Sequence, residues 1–350
     1  MKTNKLFRLG ILVIGVGVVA LMSSCKGDDG APGARGPAGA DGTNGTDGTP
    51  GVDGNAVCME CHNATKKAEI TAEWLTSVHG IGEVAHSRGG SKSCGKCHSD
   101  QGFRETQYTG QDTLADAIGL PQAIQCGTCH DFHQSLDFAN EPNYALRTVA
   151  SVDLLMYRAD DPTADPVTID MGPESNVCAN CHQPRRVGPV STDDSTRVTS
   201  SHYGPHHGPQ STSLAGLGAY EVGSGYPAQG TGSKHATDAT CTACHMHSGE
   251  HTWKPGIDGC NTTDCHNGNL TTVFENQRQK DFAAKMVTLE GKLKTAGLLD
   301  VDGHPAVGTY PTDQVGALYN YEWLVDDRSN GVHNFPYLET MLDNSIAVLP

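Results

Sequence analysis

One five-residue pattern recurs along the chain: "CMECH" begins at residue 58, "CGKCH" at 94, "CGTCH" at 126, "CANCH" at 178 and "CTACH" at 241. Two thiols two residues apart, with an imidazole directly behind them, leave the backbone little freedom at five separate places. Whatever else the chain folds into must accommodate what those clusters hold. C-x-x-C-H is the attachment motif of c-type haem. The two intervening residues match the separation of the thiols to the two vinyl groups of one porphyrin, to which they bond as thioethers. The following histidine turns its ring under the iron as proximal ligand.

Counting extends the pattern. The five motifs use Cys58, Cys61, Cys94, Cys97, Cys126, Cys129, Cys178, Cys181, Cys241 and Cys244, ten of thirteen cysteines. Cys25 stands apart near the N-terminus. The remaining two, Cys260 and Cys265, lie in "CNTTDCH", again with a histidine directly behind, but with four residues between the thiols. Two readings are open for this stretch: a sixth haem site or a structural disulfide. For the set as a whole, zinc knuckles use the same residue types, but their pairs are usually separated by a loop. Six local disulfides leave the histidines unexplained, and a redox dithiol occurs once, in a βαβ unit.

The composition fits a chain packed around bulky prosthetic groups. Aromatics make up 6% of the residues, while glycine numbers 42 and proline 18, so a conventional apolar core is expected to be thin. Six haems over residues 56–350 come to one per ~50 residues, a density at which porphyrin replaces apolar side chains. The expected fold is mainly α with extensive irregular structure and little or no β-sheet. Helical spacing supports one helix over about 274–296, carrying Phe282, Met286, Leu289 and Leu293. A second is expected near the C-terminus through Leu338, Met341, Leu342 and Ile346. Short helices should carry several of the motifs. The Gly-, Ser- and Thr-rich segment 187–235 must wind across several haems to deliver ligands. A formal charge of −16 offers no basic stripe for phosphates and excludes nucleic acid as a partner.

The N-terminus is an address. Lys2, Lys5 and Arg8 precede an apolar run from Leu9 to Leu21, the length of a signal-peptide core and too short to span a bilayer comfortably. "MSSC" resembles the lipobox of bacterial lipoproteins, although Met22 stands where Leu is usual. The resemblance implies a signal peptide over residues 1–24 and acylation of Cys25, with membrane anchoring through lipid. "CKGDDG" resembles the surface-export signals of Bacteroidetes lipoproteins. From Gly27 to Gly54 every third residue is glycine, the collagen Gly-X-Y period. Proline is sparse in these nine triplets, so residues 25–55 read as an extended stalk, with a triple helix as the alternative. At ~3 Å per residue such a stalk reaches on the order of 80 Å from the lipid.

Six proximal ligands, His62, His98, His130, His182, His245 and His266, leave eleven of the seventeen histidines for the opposite faces. That excess favours bis-histidine, low-spin sites over Met ligation. Context sorts the eleven. "CHDFH" places His133 three residues after a proximal histidine, a spacing similar to that found in multihaem cytochromes. "WLTSVH" puts His79 in a pattern that resembles a distal-ligand element of cytochromes related to hydroxylamine and nitrite chemistry. "GVHNFPYLETML" resembles a C-terminal element of the same group and implies His333. His235 lies just upstream of one motif and His251 just downstream. In "HYGPHHGPQ", adjacent His206 and His207 would face opposite ways in an extended chain. The expected distal set is His79, His133, His207, His235, His251 and His333, with His206, His86 and His202 in reserve and His247 and His304 as bystanders.

Taken together, residues 58–346 resemble a multihaem c-type cytochrome of the doubled C-x-x-C-H kind, with "NVCANCHQPRR", "PHHGPQ" and "CTACHM" the most family-like phrases. A four-residue spacing between haem-binding cysteines occurs in the small tetrahaem cytochromes of sulfate reducers, and "CNTTDCH" looks like such a site. The resemblance implies six covalent haem c groups and electron transfer at the cell surface or outer membrane. The implied partners are other cytochromes, outer-membrane electron conduits, minerals or other cells. Two alternatives are a reductase of a small nitrogen or sulfur oxyanion and a subunit of a polymeric filament. All six motifs end in His, whereas the pentahaem nitrite reductases use lysine at the active haem, which weighs against catalysis.

Overall fold

A computed structural model describes residues 58–59, 62–133, 135, 145–158, 165–190 and 194–350. Cys25, Cys61, the signal peptide and the Gly-X-Y stalk lie outside the described residues. The described chain is mostly helical and irregular, with two antiparallel sheets of two strands each. Among the described residues no helix is long and apolar enough to cross a membrane.

Five longer helices carry most of the regular structure: α1 (Ala64–Leu75), α2 (Asp100–Thr109), α3 (Gln277–Thr295), α4 (Thr312–Asp327) and α5 (Phe335–Ala347). The two C-terminal helices expected from periodicity are α3 and α5. Helix α3 begins in a reciprocal cap. The Asn276 side chain accepts from the Gln279 amide, and the Gln279 side chain accepts from the Asn276 amide. It buries Phe282, Leu289 and Leu293, and ends with Lys292 and Lys294 in its last turn, where cations suit the helix dipole. Asn334 caps α5 by accepting from the Tyr337 amide, and Pro336 sits in the first turn, where no amide donor is needed.

Helix α4 was not foreseen, and with it the core is larger than the composition implied. Val315, Leu318, Tyr319, Trp323 and Leu324 of α4 pack with Phe282, Leu289 and Leu293 of α3 and with Tyr337, Leu338, Met341 and Leu342 of α5. The scarce aromatics are concentrated here, so the average over the whole chain understates the local core. Polar anchors tie segment 187–235 to this bundle. Trp323 Nε1 donates to Ser213 Oγ at 2.8 Å, and Asn320 Nδ2 donates to the Tyr220 carbonyl at 2.8 Å. The Ala219 amide donates to the Tyr337 hydroxyl at 3.1 Å. At Gly316 an added Cβ would lie 2.0 Å from a Tyr220 ring carbon, so only glycine lets that ring lie against α4.

The strands are connectors. β1 (Val152–Asp153) pairs with β2 (Thr168–Ile169). β3 (Ser195–Val198) pairs with β4 (Gly308–Pro311) in the register Ser195↔Pro311 to Val198↔Gly308. The second ladder fixes the chain after the fourth motif to the entrance of α4.

The remaining helices are short turns, and several hold the motifs: Gly95–His98, Cys126–Cys129, Asn176–Ala179, Cys241–His245 and Ile257–Cys260. Helix α1 is different in kind. Asn63 caps it at 2.7 Å from the Lys66 amide, yet none of its twelve residues is buried. Protein packing alone does not explain its stability.

Candidate haem sites

Three of the short motif turns close in the same way. In the second, third and fourth motifs the histidine amide donates to the carbonyl of the first cysteine: His98 to Cys94 at 3.1 Å, His130 to Cys126 at 2.9 Å and His182 to Cys178 at 3.0 Å. The stretched motif keeps this closure. His266 N donates to the Cys260 carbonyl at 3.1 Å although two more residues intervene, and the surplus forms an inner turn from Cys265 N to the Thr262 carbonyl at 3.1 Å. The additional residues therefore bulge while the first cysteine and the histidine keep their relation. Eleven of the twelve motif cysteines are described, and all are free thiols, Cys260 and Cys265 included.

The histidines fall into pairs. His62 faces His133 with ring centroids 6.0 Å apart, and His79 faces His182 at 6.1 Å. His98 faces His206 at 6.3 Å, and His130 faces His251 at 6.3 Å. His235 faces His266 at 6.1 Å, and His245 faces His333 at 6.4 Å. Every proximal histidine thus has one partner from elsewhere in the chain, and the six separations agree to within 0.4 Å. Aromatic rings in direct contact spread over about 4.5–7 Å. Two imidazoles on opposite sides of one iron, with metal–nitrogen bonds of about 2.0 Å, place their centroids about 6.2 Å apart. The pairs fit an axial metal between them.

The donor set and the surroundings fit haem in particular. Among the described residues no group of three or more His, Cys, Asp or Glu side chains converges as a cage for a bare metal ion. A metal held by one histidine pair would need further donors that these side chains do not supply, and a porphyrin would provide them. Apolar side chains beside the ligands lie uncovered: Val78 is 81% exposed and Ile81 64%, flanking His79, and Phe132 is 82% exposed beside His133. A macrocycle held beside these ligands would cover them.

At one distal position the structure departs from the sequence expectation. The structure turns His206 toward His98, whereas His207 points to Asp326, with Nδ1 3.0 Å from Oδ1. The stretch is not extended, as the alternation argument assumed. His206 adopts φ +64°, the left-handed region that residues other than glycine seldom occupy, and the kink sends its ring toward His98. The other expected distal residues, His79, His133, His235, His251 and His333, each lie opposite a proximal histidine.

Electrostatics keep several of these rings neutral, as a metal ligand must be. Burial, with the nearby His182, lowers His79 to about 4. Burial and then Arg185 lower His206 to about 4. Burial also depresses His98, His182, His245 and His251. His333 runs the other way: burial alone would depress it, but the buried Asp327 carboxylate outweighs this and raises it.

The ring nitrogens on the far side are also held. His182 Nδ1 lies 3.1 Å from Gln210 Oε1, and His251 Nδ1 lies 2.9 Å from the Gly249 carbonyl. His245 Nδ1 lies 2.9 Å from the Trp253 carbonyl, and His235 Nδ1 lies 2.6 Å from the Val332 carbonyl. Such partners fix ring orientation and leave Nε2 to face the opposing ring. Sequence reasoning missed Trp253. Its ring stands edge-on to His79 at 4.8 Å and to His251 at 5.6 Å, while its carbonyl faces His245. One residue therefore touches ligands of three pairs, and it does so at φ +54°, a strained conformation for a bulky side chain. The run "HSGEHTW" marked His251, but nothing in it signalled the tryptophan.

The pairs are contiguous. The thiols of Cys97 and Cys181 touch, joining the second and fourth motifs, and those of Cys178 and Cys241 touch, joining the fourth and fifth. Ser175 Oγ reinforces the latter junction through Thr240 Oγ1 at 3.0 Å and Thr242 Oγ1 at 3.1 Å. Cys244 feels Cys260 and Cys265, so the fifth and sixth motifs are neighbours. Trp253 bridges the third and fourth pairs, and the spacing of His130 and His133 links the third with the first.

No family model matches the chain, and no curated protein does. Two solved structures show partial likeness. The outer cell wall cytochrome OcwA is 21% identical, with a TM-score of 0.48 over 78% of this chain and 48% of that one. The undecahaem cytochrome from the S-layer of Carboxydothermus ferrireducens is 17% identical, with a TM-score of 0.45 over 79% of this chain and 40% of that one. The chain spans less than half the length of either.

Proposed function

We propose that this chain is an exported hexahaem c-type cytochrome that transfers electrons. The observation that carries the reading is the set of six histidine pairs, each joining a motif histidine to a distant one at 6.0–6.4 Å. His62/His133, His98/His206, His130/His251, His182/His79, His245/His333 and His266/His235 would be the axial ligands, with the twelve motif cysteines as attachment points. Bound there, haem c would supply reversible one-electron redox chemistry.

The chain's own residues do the rest. Gln210 and the Trp253, Val332 and Gly249 carbonyls orient the rings, and paired histidines leave no axial position for a substrate. The contacts between motifs, with Trp253 and the His130–His133 spacing, support a chain of neighbours running first, third, fourth, fifth, sixth, with the second beside the fourth. That arrangement suits conduction between two ends better than conversion of a substrate at one place. The signal peptide, Cys25 and the stalk support a lipid-anchored location at the cell surface. The partners there would be other cytochromes, an outer-membrane conduit, a mineral or another cell.

Electron paramagnetic resonance of the oxidised holoprotein tests this. Low-spin ferric signals accounting for all the iron are expected. A high-spin ferric component that shifts on adding nitrite would replace this reading with a reductase.

A further inference from the structure

The turn between α4 and α5 holds a buried carboxylate that the bis-histidine reading does not need. Asp327 closes α4 and is 3% exposed. Its Oδ1 lies 2.8 Å from His333 Nδ1, and its Oδ2 accepts from the Ser329 hydroxyl and, at 3.3 Å, from the Ser329 amide. Ser213 also faces it. Arg328, next in the chain, is exposed and makes no ion pair with it; its φ of +59° turns the chain back so that His333 returns beneath the carboxylate. A buried anion is costly unless it is paired, and here the pair is an imidazole.

The neighbouring sites are built differently. His182, in the adjacent fourth site, meets the neutral Gln210 amide oxygen, and His235, in the sixth, meets the Val332 carbonyl. His245, across from His333, meets the Trp253 carbonyl. A carboxylate drawing on the Nδ1 proton makes a ligating imidazole more basic than a carbonyl does. A more basic axial ligand stabilises ferric over ferrous iron.

Resting on the bis-histidine haem reading above, we propose that Asp327 sets the reduction potential of the haem held by His245 and His333, placing it below those of its two neighbours. Asp327 is a positioning residue, acting through His333. In a row of sites it makes the fifth an uphill step for an electron arriving from either neighbour.

The test is spectroelectrochemical titration of the six-haem holoprotein, with paramagnetic resonance to follow individual low-spin centres. Asp327→Asn removes the charge with little change of shape. It should raise one midpoint by a tenfold change in reduction equilibrium or more, about 59 mV for one electron, and move one low-spin signal. Ser329→Ala removes a hydrogen bond that quietens the carboxylate, so it should shift the same midpoint downward. Asp327→Glu should restore part of the loss. A group that merely packed the turn would not give opposite signs in the two variants. Six low-spin haems with unmoved midpoints in Asp327→Asn would overturn the proposal, as would a downward shift. Should Asp327→Asn fail to mature, Ser329→Ala decides alone: a fall in one midpoint supports the proposal, and no change overturns it. A wild-type protein lacking six low-spin centres would instead sink the haem reading beneath it.

Discussion

Replacing His206 separates two adjacent histidines that sequence alone cannot tell apart. The His206 ring lies 6.3 Å from His98 and makes no hydrogen bond that competes for its outer nitrogen, whereas His207 is engaged with Asp326 at 3.0 Å. His206→Ala should therefore leave one haem of six without a distal ligand, so that about one sixth of the ferric iron becomes high-spin. His207→Ala should leave all six low-spin and cost no more than ~1 kcal/mol, because the His207 side chain of that ion pair is exposed. The backbone adds a second, independent magnitude. At φ +64° an alanine carries left-handed strain of roughly 1–2 kcal/mol that glycine does not. His206→Gly should therefore lose the same low-spin centre but unfold at higher denaturant than His206→Ala. Paramagnetic resonance and guanidinium unfolding read the two effects. Six intact low-spin signals in His206→Ala, or a high-spin signal in His207→Ala, would refute the assignment.

Three further outcomes follow from the packing. Trp323 is fully buried and donates to Ser213, so Trp323→Ala should cost about 3–5 kcal/mol in denaturant unfolding; a loss under about 1 kcal/mol would mean the C-terminal bundle does not pack as described. Trp253→Ala should perturb the low-spin signals of two centres at once, those of His79 and His251, and disturbance of one centre or none would contradict its bridging position. Burial, aided by Asp326, raises Glu322 from 4.5 to about 7, so the folded chain retains that proton where the unfolded chain has lost it. Its contribution to stability is greatest below pH 4.5 and falls away as pH rises to 7; Glu322→Gln should flatten that decline by on the order of 1–3 kcal/mol, and identical pH slopes for the two proteins would refute it.

How much of this was legible in sequence depended on how local each signal was. The motifs were readable because each packs its cysteines and histidine within five residues, and even "CNTTDCH" keeps the closing hydrogen bond of its shorter relatives. Helices α3 and α5 were readable because Leu289, Leu293, Leu338 and Leu342 recur at helical spacing and face one core. Helix α4 was hidden because its buried face includes Thr312, Gly316, Asn320 and Asp327, which periodicity counts as polar or neutral. Those residues are buried because Asn320 holds Tyr220 and Asp327 holds His333, partners 100 and 6 residues away. The choice of His206 over His207 rests on a single backbone torsion, which no composition or spacing rule reports. Trp253 was missed for a similar reason, since its importance lies in three ligands brought to it from distant segments.

The account rests on six covalent haems, and the intact mass of the mature protein with peptide mapping counts them. Six haem masses are predicted, one of them on the peptide holding residues 260–266. A mature chain with five, and with Cys260 and Cys265 joined to each other, would contradict it.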